Sequence, residues 1–188
     1  PLCFSPRSPF LSAVGRVLVL PLASFVLFRV GPYGFSYLLF DHVGVSIGPC
    51  WSPATNIFYF SDRKAQIIHA FDFDVESGEL SNQRVFNDTK SHGHPDGATV
   101  DVEGYLWSAR WEGSCVLRFD PKGRIDRVVP MPVTRPTCVV FGGPQIDTIY
   151  VTSAAANLPA DVLKTNPLSG GLFCFNPGVT GPAKHKFG

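Results

Sequence analysis

The sequence predicts an all-β fold built of repeated four-stranded units. Three observations predict it. Short apolar, aromatic strands recur every 40 to 50 residues. Turn residues separate each strand from the next. Glycine (18) and proline (17) are abundant while methionine occurs once, a balance that suits many turns and few long helices. Hydrophobic residues make up 45% and charged residues 16% of the 188, which is the composition of a globular chain with one ordinary core.

From residue 45 onward the elements can be taken in order. First strands read "GPCWSP" (48–53), "GATVDV" (97–102) and "TCVVFGG" (137–143). Second strands read "NIFYFSD" (56–62), "GYLWSAR" (104–110) and "DTIYVTS" (147–153), with Tyr59, Trp107 and Tyr150 in equivalent places 48 and 43 residues apart. Third strands read "IIHAFDFD" (67–74), "CVLRFDPKG" (115–123) and "GGLFCFNPG" (170–178). A fourth, outer strand shows in "QRVFND" (83–88) and "DRVVPM" (126–131). One such unit cannot bury both of its faces, so units must stack, and stacking around an axis leaves only short edges. The pattern therefore predicts a partial β-propeller of about three four-stranded blades, with either further blades missing from this sequence or residues 1–44 supplying a poor remnant of one. The third unit carries an insertion, 154–171, in which Pro159 and Asp161 open a helical turn through Lys164 that Pro167 ends. A surface excursion accounts for it as readily as a lid does.

The first forty residues stand apart. They hold three arginines and no acid, whereas residues 41–188 hold thirteen bases and fifteen acids, a net of −2. That shift places a boundary at Phe40–Asp41, with 1–40 an apolar N-terminal segment and 41–188 the blades. The apolar run "VLVLPLASFVLF" (17–28) lies between Arg16 and Arg29 and is too short for a membrane span. No convincing cleavage site for a signal peptide follows it. It reads as a buried strand or as sequence outside the fold, and the lack of acids and of alternation favours the second. No membrane role is expected. The net charge of +1 and the absence of a Lys/Arg cluster argue against nucleic acid as a partner. Five widely spaced cysteines, with no CxxC pair, suggest reduced, buried thiols in a cytoplasmic protein.

The stretch "HGHPDGATVDVEG" (92–104) carries the candidate chemistry. Taken alone, Asp96-Gly97 is a turn pair before a strand. His92 and His94 would face one side of an extended segment and invite a metal reading, but Gly93 loosens the segment and no third ligand is close in sequence, so they read as loop histidines. His69 reads as packing, and His42 and His185 carry no motif. Asp72, Asp74, Asp101 and Asp120 read as turn formers, Trp107 as packing, and Trp111 as packing or as a lining of the channel mouth. No nucleophile elbow, P-loop or dinucleotide fingerprint occurs.

Several segments in this order, among them "SIGPCWSPATNIFYFSDRKAQIIHAFDFDVESGELSNQRVF", "PDGATVDVEGYLWSARWEGSCVLRFDPKGRI", "CVVFGGPQIDTIYVTSA" and "PLSGGLFCFNPGVTG", resemble the senescence-marker-protein (regucalcin), gluconolactonase and luciferin-regenerating-enzyme family. The resemblance runs from about Phe40 to the C-terminus and implies the C-terminal half of a six-bladed propeller. It implies hydrolysis of sugar lactones with a divalent metal, calcium or zinc, in the central channel. The ligands it implies are a first-blade glutamate, the asparagine of a Ser-Asn-Gly motif and the aspartate of a Pro-Asp-Gly motif. The glutamate has no counterpart here. Ile47 stands where the asparagine would be, in Ser46-Ile47-Gly48. Pro95-Asp96-Gly97 is intact, which makes Asp96 the candidate metal ligand and general base. With one ligand replaced and one lacking, poor metal binding and impaired activity are expected. The alternative is a non-enzymatic fragment whose open blade edges pair with another chain, a second copy included.

Overall fold

The computed structural model describes residues 2–4, 11–19, 22–30 and 36–183. The side chains of Cys3 and His42, and the whole of His185, lie outside what is described. Fifteen strands and one helix occur among the described residues, and every sheet is an antiparallel meander in chain order. The first holds β1 (Leu2–Phe4), β2 (Leu11–Val19), β3 (Leu22–Val30) and β4 (Ser36–Val43). The second holds β5 (Ser46–Trp51), β6 (Ile57–Asp62), β7 (Ile67–Phe73) and β8 (Leu80–Asn87). The third holds β9 (His94–Val100), β10 (Leu106–Trp111), β11 (Cys115–Phe119) and β12 (Ile125–Pro130). The fourth holds β13 (Pro136–Gly142), β14 (Thr148–Ser153) and β15 (Leu172–Phe175). The last three sheets match the three units expected from residue 45 onward. The helix α1 (Ala160–Thr165) sits in the insertion, as expected, and buries no side chain.

Of the run 17–28, residues 17–19 lie in β2 and residues 22–28 in β3, and these strands pair from Leu11↔Val30 to Val19↔Leu22. The charge break at 40–41 falls inside β4. This sheet was not legible as a unit because its strands have neither polar alternation nor the turn-strand rhythm of the later ones.

Each core lies between two consecutive sheets. Leu27 and Val43 meet Trp51, Phe58, Phe60 and Phe71 in one cluster. Tyr59, Ile68 and Ala70 meet Leu106, Leu117 and Phe119 in the next. Trp107, Ala109 and Val116 meet Val139, Phe141, Ile149 and Val151 in the last. The alternation of a strand explains this arrangement. On β6, Phe58 and Phe60 face backward while Tyr59 faces forward. On β10, Leu106 faces backward while Trp107 and Ala109 face forward. The middle strands β6, β10 and β11 are buried on both faces, and the outer strands β8 and β12 are largely exposed. That is the arrangement of propeller blades.

The first strands β5, β9 and β13 lie side by side. A Cβ on Gly48 would come within 2.9 Å of Ala98 N and Asp96 O, and Gly48 has φ +67°. A Cβ on Gly97 would come within 2.6 Å of Cys138 Sγ. Only glycine permits either approach. The two glycines thus let three successive inner strands meet at backbone distance, and Asp96 stands at the middle one.

The expectation of buried cysteines needs correction. Cys115 is buried, but Cys138 and Cys174 are exposed residues: Cys174 faces the open side of the last sheet, whereas Cys138 keeps its Sγ against Gly97 of β9.

Candidate active site

The turns joining second to third strands and the approaches to the first strands gather at one end of the sheets. Asp62 builds the first of these turns. Its carboxylate accepts backbone N–H bonds from Gly44 (2.8 Å), Val45 (3.2 Å), Lys64 (2.9 Å) and Ala65 (3.1 Å). It thereby ties the start of β5 to the β6–β7 turn. Arg63, in that turn, donates its N–H to Val45 O at 2.9 Å, and its carbonyl oxygen lies 3.3 Å from His94 Nδ1.

The Arg63 side chain then reaches inward. Its Nη1 is 3.5 Å from Asp96 Oδ2, with the arginine side chain 30% exposed and the aspartate side chain 7% exposed. Its Cζ sits 4.9 Å from the centre of the Trp111 ring, and Arg135 lies over the same ring at 4.7 Å. The indole holds both guanidiniums by cation–π attraction. Arg135 is anchored in turn by Glu112 at 2.8 Å.

Burial pushes the Asp96 carboxyl up to about 6, while Arg63 and a backbone bond from Gly97 pull against that rise. Charge is disfavoured in a dry site, and a cation restores part of the loss. The neighbouring Cys138 thiol is pushed up by burial and then by Asp96. A shallow hollow of about 330 Å³ opens beside Arg63, lined by Val45, Arg63, Lys64, His94, Trp111 and Glu112, and Asp96 lies behind the guanidinium rather than in its wall. A buried carboxylate with its proton poised near neutral pH, joined through Arg63 to an open hollow, has attributes of a general base.

Trp111 therefore lines the hollow, and Trp107 is core packing, fully buried, with its Nε1 donating to Asp101 at 2.9 Å. The two histidines do not act as a pair. His92 Nδ1 contacts Ser91 Oγ at 2.7 Å, whereas His94 turns to the Arg63 carbonyl. His69 packs among aromatics, 6.0 Å from Phe40. Asp74 and Asp120 accept turn N–H bonds. Asp101 does so too and also holds Arg118 at 2.7 Å, deep in the core. Asp72 is no turn former: it lies on β7 and pairs across the sheet with Arg84 at 2.8 Å.

The implied metal finds little here. Ile47 offers hydrocarbon, and Ser61 opposite it on β6 has a buried hydroxyl without a protein partner. Among the described residues no group of three His, Cys, Asp or Glu converges. Calcium takes six to eight oxygens and zinc three or four ligands. Asp96, facing a guanidinium, does not meet either need.

Sequence reasoning missed Asp62, Arg63 and Arg110. Arg110 is 1% exposed and clamps the loop before β9 by donating to Thr89 O (3.0 Å), His92 O (3.1 Å) and Gly93 O (2.7 Å). The signal available was an acid and a base closing a second strand, in "FSDRK", and nothing in that pattern reveals what the side chains reach.

A family description, SMP-30/Gluconolactonase/LRE-like region, matches residues 23–155. Regucalcin of Oryctolagus cuniculus is 40% identical over 136 residues, 71% of this chain and 46% of that protein. The chain spans about half the length of the curated relatives it matches. Two solved structures share its fold at 26% identity. One is described as a calcium-binding protein, regucalcin, from Agrobacterium tumefaciens (TM-score 0.82, 96% of this chain and 62% of that one). The other is a luciferin-regenerating enzyme (TM-score 0.84, 98% and 64%). Among the described residues no helix is long and apolar enough to cross a membrane.

Proposed function

We propose, for a chain that belongs to the SMP-30/gluconolactonase/LRE-like family, that these sheets are blades of a six-bladed ring which hydrolyses sugar lactones. Asp96 is the general base. Its carboxylate takes a proton from water as the water oxygen bonds to the lactone carbonyl carbon. The ring C–O bond then breaks, the ring oxygen takes up the proton, and a hydroxy acid leaves. The carrying observation is Asp96 itself, buried in an intact Pro-Asp-Gly with its carboxyl raised to about 6 and paired with Arg63, which lines an open hollow. The donor set around it does not make a metal site, so no step is assigned to a metal, and turnover is expected to be impaired relative to a metal-assisted site. Hydrolysis of glucono-δ-lactone above its spontaneous rate tests the reading. Asp96→Asn should lower kcat by 100-fold or more, the range of a lost general base, and an unchanged rate would remove Asp96 from the mechanism.

A second reading has its own observation. The forward face of β13–β15 presents Val140 (43% exposed) and Leu172 (65% exposed) with Cys174. In each preceding sheet that face is covered by the next one. We infer that another sheet belongs there, either from the same ring or from a second copy of the chain acting as an assembly module.

A further inference from the structure

The structure assigns the cation beside Asp96 to the protein itself: we propose that the Arg63 guanidinium holds the place of a divalent metal and makes this site independent of metal. The catalytic part of the inference rests on the lactonase reading; the part about charge does not.

Three observations carry it. Arg63 Nη1 stands 3.5 Å from Asp96 Oδ2. The Trp111 ring holds the guanidinium, and further contacts hold the backbone that carries it. Trp111 lies under it at 4.9 Å, its backbone N–H is fixed to Val45 O at 2.9 Å, and its turn is built on four N–H bonds to Asp62. Among the described residues no group of three His, Cys, Asp or Glu converges, and Ile47, standing where the resemblance implies an asparagine ligand, offers hydrocarbon. A divalent ion within bonding distance of Asp96 would sit against a fixed positive charge, which opposes it.

The arrangement also has a use. Arg63 is 30% exposed and lines the hollow with Lys64, His94 and Trp111. A lactone bound there can point its carbonyl oxygen at the guanidinium. As water adds to the carbonyl carbon, the carbonyl π pair moves onto that oxygen, and the Arg63 N–H groups take the developing negative charge. Asp96 holds the water's proton and returns it to the ring oxygen when the C–O bond breaks. Arginine remains charged through the cycle and needs no co-reactant.

Calorimetric titration of the full chain with calcium chloride and with zinc chloride decides the matter. The wild-type chain should show no one-to-one site tighter than about millimolar. Arg63→Met should bind calcium or zinc at least tenfold more tightly, and that gain should vanish in Arg63→Met/Asp96→Asn. Arg63→Lys, which keeps a cation, should behave like wild type, with circular dichroism confirming that each variant folds. A micromolar wild-type site abolished by Asp96→Asn overturns the proposal, as does an Arg63→Met chain that gains nothing. Lactone hydrolysis separates the two readings. Activity that survives EDTA and falls with Arg63→Met supports the inference. Activity abolished by EDTA overturns it while leaving the lactonase reading intact. A complete lack of activity sinks the lactonase reading, and the metal titration alone then judges Arg63.

Discussion

Asp96 is a carboxylate that is 5% exposed and still accommodated beside a cation. Its carboxyl sits at about 6 rather than at the ordinary 3.8 because burial disfavours the charge more than Arg63 restores it. Between those values the folded chain keeps a proton that the unfolded chain has released. Unfolding releases it, so stability falls as pH rises from about 4 to about 6 and levels off above. A shift of two pH units corresponds to about 3 kcal/mol. Asp74 and Asp120 act oppositely, since backbone N–H bonds hold their carboxyls low and their contribution is lost as pH falls. Comparing wild type with Asp96→Asn cancels those groups. Urea midpoints measured from pH 4 to 7 should decline in the wild-type chain relative to the variant, and parallel profiles would contradict the assigned burial. The same carboxyl predicts lactone hydrolysis that rises with pH through an apparent pKa near 6.

Individual strands owe their placement to contacts that a propensity scale does not contain. β5 approaches β9 because Gly48 has no Cβ and takes φ +67°. Gly48→Ala would force a methyl within 2.9 Å of Asp96 O and place alanine in a left-handed conformation. The chain should lose about 2 kcal/mol or more of stability, read from thermal unfolding. Lactone turnover should fall as well, because the displaced atoms belong to Asp96. The β6–β7 turn and the loop before β9 tell a related story. Asp62 and Arg110 were invisible as site residues because each acts through main-chain partners rather than through a motif.

The molecule as a whole is a row of sheets, each pair clamping one core. Tyr59 and Trp107 face the next sheet and are buried, whereas the equivalent Tyr150 faces the open side and is half-buried. Such a row is stabilised by nearest-neighbour interfaces, so its last face is the place for association. If two chains close over it, sedimentation should give twice the mass of one chain, and Val140→Glu should return the monomer by burying a charge in the contact. A wild-type chain that sediments as a monomer at high concentration would exclude pairing through that face.

The repeat of aromatic strands and turns determined by itself that the chain is all-β and that residues 97–102 form the first strand of a unit, while the family resemblance singled out Asp96. Strand period and turn chemistry are local, so they can be read without knowing what packs on what. The tertiary structure alone decided that Arg63 faces Asp96, that Arg110 clamps the approach loop, and that Asp101 serves the core. These pairings join residues 17 to 33 positions apart, across turns and between sheets. Their geometry follows from two glycines and from stacked cores, and no spacing rule within a strand encodes it.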